Sequence, residues 1–336
     1  MATEKSTKAR AWAIFDRIVE LAAPGGEHSN PWVRDGQGRR YEPDYETLCR
    51  LLGVPLSLRA NTQSGVPALA LDVWLSYELR RAGFGTDQTW PRPKHPRILP
   101  ASIAKLLEAL PKKDAGPLRD RIEGATGVPG FTSSSATILG KNYLKQVDVI
   151  ITDWATGPEL LISTKRMDSS FGKNAPNRIE ESYGDVKNLR LRHPMAALGF
   201  VFGLSANILQ KEPGTAEWLF DLLAKLGQED DAYHATGLVL MQYSGEASIP
   251  DDCDERAEGI PQESGIEPDE GGASVDDREI ENILTLLPKV KIRLKETPEA
   301  LNPGRFLSMM VDRVLGATPV TMHREARRRR AEARQP

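Results

Sequence analysis

VDVIITDWATGPELLISTK, residues 147–165, consists of two short runs rich in Ile, Val, Leu and Thr joined by the turn-forming WATGP, a pattern that predicts a β-hairpin. The second run has almost no polar interruptions, so that strand is expected to be buried on both faces of a larger sheet. Into this apolar setting the chain introduces Asp148 near the start and Lys165 at the end. Side chains alternate along a strand, so Ser163 and Lys165 emerge on one face and Thr164 on the other. Pairing through the turn brings Asp148 and Lys165 to the same end, where they can share a face. A carboxylate and an ammonium so placed form either a structural ion pair or half of a metal-dependent hydrolytic site.

The flanking segments fix the fold class. Residues 8–23 have apolar positions at helical spacing, DYETLCRLLGVP predicts a second short helix that breaks at Pro55, and residues 68–84 predict a third. In the third, Leu71, Leu75, Glu78 and Ala82 share a stripe and Gly83 supplies a C-terminal cap. TWPRPKHPRILP is too proline-rich for a helix or a central strand and reads as an extended basic surface loop, followed by the helix ASIAKLLEALPKK. ATILGKNYL reads as a strand leading to Asp148. After Lys165 come the helix NRIEESYGDVKNLRLR, the strand MAALGFVFGLS, the helix TAEWLFDLLAKLG and the strand ATGLVLMQY. KVKIRLKE and GRFLSMMVDRVLG give a last strand and helix. This order predicts an α/β protein: a mixed central β-sheet flanked by helices. The expected divisions are an N-terminal helical region at 1–66, a core at 67–245, an acidic disordered insertion at 246–281, a strand and helix completing the core at 282–319, and a basic tail at 320–336.

With 336 residues, 40% of them hydrophobic, the chain can fill a sizeable core. It has no apolar run of membrane-spanning length and no signal-peptide pattern, so a cytoplasmic protein is expected. Its two cysteines, Cys49 and Cys253, cannot form a disulfide framework or a cysteine-rich zinc site. The histidines lack metal-ligand spacing. The net charge of −3 hides an asymmetry: residues 246–281 carry fourteen acids against Arg256 and Arg278, a local −12 that leaves about +9 elsewhere. The acidic stretch cannot bury enough apolar area to order itself, whereas the basic remainder suits a polyanionic partner. The tail HREARRRRAEARQP attracts polyanions or is simply solvated.

In these residues and their order the chain resembles the PD-(D/E)xK nuclease superfamily, whose core places an aspartate on one strand and a D/E-x-K triplet on the next. Asp148 matches the first position and Lys165 the last, while Ser163 stands where most members have an acid. The CCGG-recognising type II restriction endonucleases are similar in this departure: they have an S-x-K triplet, and a glutamate on the following helix supplies the missing acid. Ser163-Thr164-Lys165 is such a triplet, with Glu180 and Glu181 as the candidate acids. At ~100° per residue, Ile179, Tyr183, Val186 and Arg190 form a stripe that Glu180 flanks, with Glu181 on its far side, which favours Glu180. Gly184, one turn on, leaves room for a metal or a phosphate.

The resemblance covers roughly residues 68–205 and implies a restriction-endonuclease-like fold. It implies Mg2+ held by Asp148, Glu180 and the Thr164 carbonyl, with Lys165 preparing the attacking water and Ser163 a spectator or hydrogen-bond donor. Glu78 would be an additional acid from the first core helix. Lys141, Arg166, Lys173, Arg178, Lys187, Arg190 and Arg192 would meet the DNA backbone. The implied activity is that of a type II restriction or phage-defence endonuclease, a homodimer acting on double-stranded DNA beside a cognate DNA methyltransferase. Ser163 motivates an alternative, a catalytically inactive DNA-binding protein. In a third reading the acidic insertion mimics nucleic acid to capture a protein partner.

Overall fold

A computed structural model describes residues 2–36, 38–124, 128, 132, 136–244, 249 and 276–335. The chain opens with helix α1 (Ala2–Ala22), a hairpin of β1 (Trp32–Asp35) and β2 (Gly38–Tyr41), and helices α2 (Tyr45–Ser57) and α3 (Val66–Arg81). Next come β3 (Thr89–Trp90), α4 (Ala101–Ala109), α5 (Lys112–Ile122), β4 (Ala136–Leu139), β5 (Leu144–Val147), β6 (Val149–Asp153) and β7 (Gly157–Met167). Then follow α6 (Phe171–Arg190), β8 (Ala197–Ser205), α7 (Ile208–Lys211), α8 (Pro213–Leu226), β9 (Ala235–Tyr243), α9 (Asp277–Thr285), β10 (Val290–Ile292), α10 (Pro303–Ala317) and α11 (Arg324–Ala331).

The main sheet is mixed, with strand order β10-β9-β8-β7-β6-β3. β6 and β7 are the expected antiparallel hairpin, while β7, β8 and β9 run parallel because α6 and then α7 and α8 carry the chain back between them. All nine residues of β8 are buried, as a parallel strand covered on both faces requires. The alternation of side chains divides the core in two. Val149, Ile151, Leu160, Ile162 and Val201 face α1, α2, α3 and α10, whereas Ile150, Leu161, Phe200, Phe202 and Leu204 face α6 and α8. The expected α/β class, a mixed central sheet between helical layers, is therefore present. Among the described residues no helix is long and apolar enough to cross a membrane.

Several local expectations give way. Residues 136–144 form a hairpin rather than one strand, and Gly140 makes its turn where a Cβ would fall 2.1 Å from Asn188 Nδ2. α2 continues through Pro55, since the proline falls in the last turn and Leu51, Leu52, Val54 and Leu56 are buried on either side of it. The proline-rich loop is not a basic surface: Arg92 and Arg97 are buried, bound to Asp87 and Asp16. Within residues 1–66, α1 and α2 pack in one hydrophobic cluster with α3, the sheet and α10. Most of the acidic insertion lies outside the described residues. Its last part is the helix α9, whose Glu279 and Glu281 pair with Arg10 and Arg17 of α1.

The arginine-rich tail is bound internally. Arg327 donates to the carbonyls of Leu315 and Thr318 at the end of α10, both at 2.8 Å. Arg330 pairs with Asp312, and Arg334 bridges to β1 through backbone hydrogen bonds with Trp32 and Arg34. Arg329 donates to the carbonyls of His28 and Arg81, both at 2.9 Å, closing the C-terminal end of α3. There Gly83, at φ +101°, lets Ala326 approach so closely that a Cβ would lie 2.8 Å from the Ala326 backbone. The acidic and basic runs read from composition as solvated segments are thus partly structural. Arg329→Ala should lower unfolding free energy by about 1.5–3 kcal/mol, the worth of hydrogen bonds from a charged donor. An unchanged urea midpoint would show that the tail does not brace α3.

Candidate active site

The β6–β7 register ends with Val149 opposite Ile162, and one further step places Asp148 opposite Ser163. Asp148 sits at the break between β5 and β6, where the ladder lapses and a side-chain carboxylate can serve a strand amide. Its Oδ2 accepts from the Thr164 N–H at 2.7 Å. On the other face of β7 the Thr164 hydroxyl donates to Asp72 Oδ1 at 2.6 Å. One residue of β7 therefore clasps two acids, one from the start of β6 and one from α3. Asp72 is buried, and burial first, then the charge of Asp148, push its carboxyl well above the ordinary carboxylate range; Thr164 and Lys8 oppose the shift.

Asp72 is not among the acids that the sequence singled out. The residue singled out on the same helix, Glu78, lies fully buried elsewhere: it binds Arg81 Nη1 at 2.8 and 3.0 Å, accepts from the Tyr41 hydroxyl at 3.0 Å and receives the Asp44 N–H at 2.7 Å. Every residue of α3 from Leu71 to Arg81 is buried, so the stripe of Leu71, Leu75, Glu78 and Ala82 has no exposed edge on which Glu78 could sit. A lone aspartate inside the apolar run ALALDVWL was the available signal.

On α6 both glutamates are exposed, and they differ in their partners: Glu181 Oε2 lies 3.5 Å from Lys165 Nζ and 3.3 Å from Arg178 Nη1, while Glu180 points away from Lys165. The buried face of α6 includes Ser182, Asp185 and Asn188 as well as Ile179, Val186 and Leu189. Those polar members rotate the buried stripe toward Glu181, at about 100° per residue, and leave Glu180 on the solvent side. Ser163 is buried against the phenol of Tyr233, which bonds to it and donates to the Ser182 carbonyl at 3.2 Å.

The basic residues also sort themselves. Lys141, Lys173 and Arg192 are exposed. Lys187 pairs with Asp231, Arg178 with Glu181, and Arg190 donates to the Ala232 carbonyl at 2.9 Å. Arg166 is withdrawn from any surface: buried, it holds Asp168 at 2.8 Å, the Pro67 carbonyl at 2.8 Å and the Tyr243 hydroxyl at 2.7 Å. It is a brace between β7 and the start of α3, not a backbone contact for DNA.

Among the described residues no three His, Cys, Asp or Glu side chains gather as a metal centre would require. The pair Asp72, buried, and Asp148, half-buried, nevertheless offers the anionic oxygen that a hard cation takes, and a cation there would relieve the effect of the Asp148 charge on Asp72. Set against known proteins, the chain matches no family model, no curated sequence and no solved structure.

Proposed function

We propose that this protein is a magnesium-dependent endonuclease that hydrolyses DNA phosphodiester bonds, built on a restriction-endonuclease-like core of the PD-(D/E)xK type. The observation that carries the reading is the clasp at Thr164, with Asp148 on its amide, Asp72 on its hydroxyl and Lys165 next along the strand. Asp72 takes the place in the scheme that Glu78 cannot fill. Asp148, Asp72 and the Thr164 carbonyl would hold the cation, which when bound supplies positive charge to the phosphate oxygens. Lys165 orients water at the same strand end, and Glu181, between Lys165 and Arg178, keeps that ammonium aligned. Lys141, Lys173 and Arg192 are the exposed cations offered to the DNA backbone. A homodimer would match a palindromic duplex, and a sequence-specific cutter would require a cognate methyltransferase in its host.

A second reading is a DNA-binding protein without catalysis. It is favoured by the engagement of Glu181 with Lys165 and by the tie between Ser163 and Tyr233, which leave two acids rather than three near Thr164. Duplex DNA, methylated and unmodified, incubated in magnesium or in EDTA decides between the two. Products that form only with magnesium support the nuclease; cation-independent binding with no cleavage of either substrate supports the second reading.

Asp72→Asn separates the metal from the fold. The asparagine keeps an acceptor for Thr164 and removes the disfavoured charge, so the metal-free variant should be about 1–2 kcal/mol more stable. The raised carboxyl of Asp72 contributes stability that is full below its ordinary 3.8 and is lost as pH rises through its folded value. The wild type should therefore weaken over that window and the variant should not. Magnesium should raise the melting temperature of the wild type alone. An equal magnesium response in the variant would remove Asp72 from the site.

A further inference from the structure

We infer that Arg190, His234 and Arg313 form a binding site for a phosphate-type oxyanion at the end of the sheet where β8 and β9 begin, apart from the clasp at Thr164 and whether or not that clasp hydrolyses DNA. Arg190 closes α6, and His234 directly precedes β9. Leu198 of β8 grips His234 twice: the His234 N–H donates to the Leu198 carbonyl at 2.8 Å, and the Leu198 N–H donates to His234 Nδ1 at 2.9 Å. A backbone N–H can only donate, so Nδ1 is the unprotonated nitrogen and the neutral ring carries its hydrogen on Nε2. That Nε2 lies 3.2 Å from Arg190 Nη1. Two N–H donors therefore face each other, and neither satisfies the other; a shared acceptor resolves the mismatch.

A structural brace does not account for the pairing. The bracing bond of Arg190 goes to the Ala232 carbonyl at 2.9 Å and uses Nη1 alone. Among the described residues neither Arg190 nor Arg313 pairs with a carboxylate. The acids of the adjoining loop are engaged elsewhere: Glu229 accepts from the Tyr183 hydroxyl at 2.6 Å and Asp231 pairs with Lys187, which leaves Asp230 acting on Arg190 from farther off. Asp312, next to Arg313, pairs with Arg330. α10 crosses the sheet near the strand starts, since a Cβ on Gly199 would fall 2.8 Å from Phe306 and 2.9 Å from Met310, and Gly199 pairs with Ala235. Arg313 is exposed just beyond Met310, while Arg190 and His234 are half-buried, so an ion can reach the three from solvent. Burial first, then the charges of Arg313 and Arg190, lower the His234 imidazolium to about 4, which keeps the ring neutral and its Nε2–H a fixed donor. Two guanidinium groups without carboxylates and one oriented imidazole N–H match the charge and the several acceptor directions of a phosphate.

The test is titration of the full chain with inorganic phosphate, in EDTA at constant ionic strength, read from the nitrogen NMR signals of the His234 ring in the wild type, Arg190→Gln and Arg313→Gln. Phosphate should move the wild-type Nε2 signal saturably and leave Nδ1 unprotonated. Arg313→Gln, an exposed substitution that should keep the melting temperature, is expected to weaken phosphate binding about tenfold, the worth of a hydrogen bond from a charged donor, and Arg190→Gln to weaken it at least as much. A wild-type Nε2 signal indifferent to phosphate, or an Arg313→Gln protein that binds phosphate as the wild type does, would overturn the site and leave the nuclease reading where it stood. A short DNA duplex added to the phosphate-loaded wild type identifies the source of the anion: loss of the phosphate response assigns the site to a nucleic-acid backbone, its persistence to free phosphate, and both results uphold the site.

Discussion

Asp148→Ala is expected to lower magnesium-dependent DNA cleavage by about 10³-fold with little effect on stability, a combination that an ordinary buried ion pair would not give. The carboxylate accepts from the Thr164 amide, and its charge pushes up the Asp72 carboxyl. The hydrogen bond to Thr164, worth about 1 kcal/mol, and the relief of the like charge beside Asp72 act on stability in opposite directions, so the change in melting temperature should be small beside the loss of cleavage. Lys165→Ala should be comparably inactive. It leaves Glu181 facing Arg178, and the ion pair broken there, with Glu181 exposed, is worth little in stability. Full cleavage by purified protein carrying either substitution would place the chemistry elsewhere.

Glu78→Ala should have the opposite character, a loss of about 3–5 kcal/mol in unfolding free energy with normal cleavage per folded molecule. The substitution leaves the Arg81 guanidinium buried beside a vacancy and strips the Tyr41 hydroxyl and the Asp44 amide of a partner. Burial raises the Glu78 carboxyl even though Arg81 draws it back, which marks a pair that costs much to assemble and more to break. Urea denaturation measures the effect, and a loss below about 1 kcal/mol would contradict the buried pair. Measured together, Asp72→Asn, Asp148→Ala and Glu78→Ala separate a strained centre from a stabilising one on the same helix.

What could be read from the sequence followed the strength of its periodicities. The hairpin of β6 and β7, the fully apolar β8 and the amphipathic α8 were legible because apolar runs and turn residues coincide in them. The turn at Gly140 was not, because a single glycine inside a β-rich run does not reveal whether the chain bulges or reverses. Asp148 and Lys165 were legible as charges misplaced in apolar strands. The Thr164–Asp72 bond and the placing of Glu181 beside Lys165 were not legible because helical wheels weight apolar residues, while the buried faces of α3 and α6 carry aspartates, serine and asparagine paired with distant chain. Charge runs misled for a related reason: composition counts arginines but not the carbonyls they meet, and Arg327 and Arg329 meet theirs at the ends of α10 and α3.

The link from Arg329 to the Arg81 carbonyl joins residues 248 positions apart in the chain. During translation, Asp148 and Lys165 leave the ribosome well before the segment that fastens the helix bearing Asp72. The helix bearing Asp72 would first be fastened once α11 is made, so the arrangement around Thr164 would settle only after the strands that carry Asp148 and Lys165 have long been available to pair.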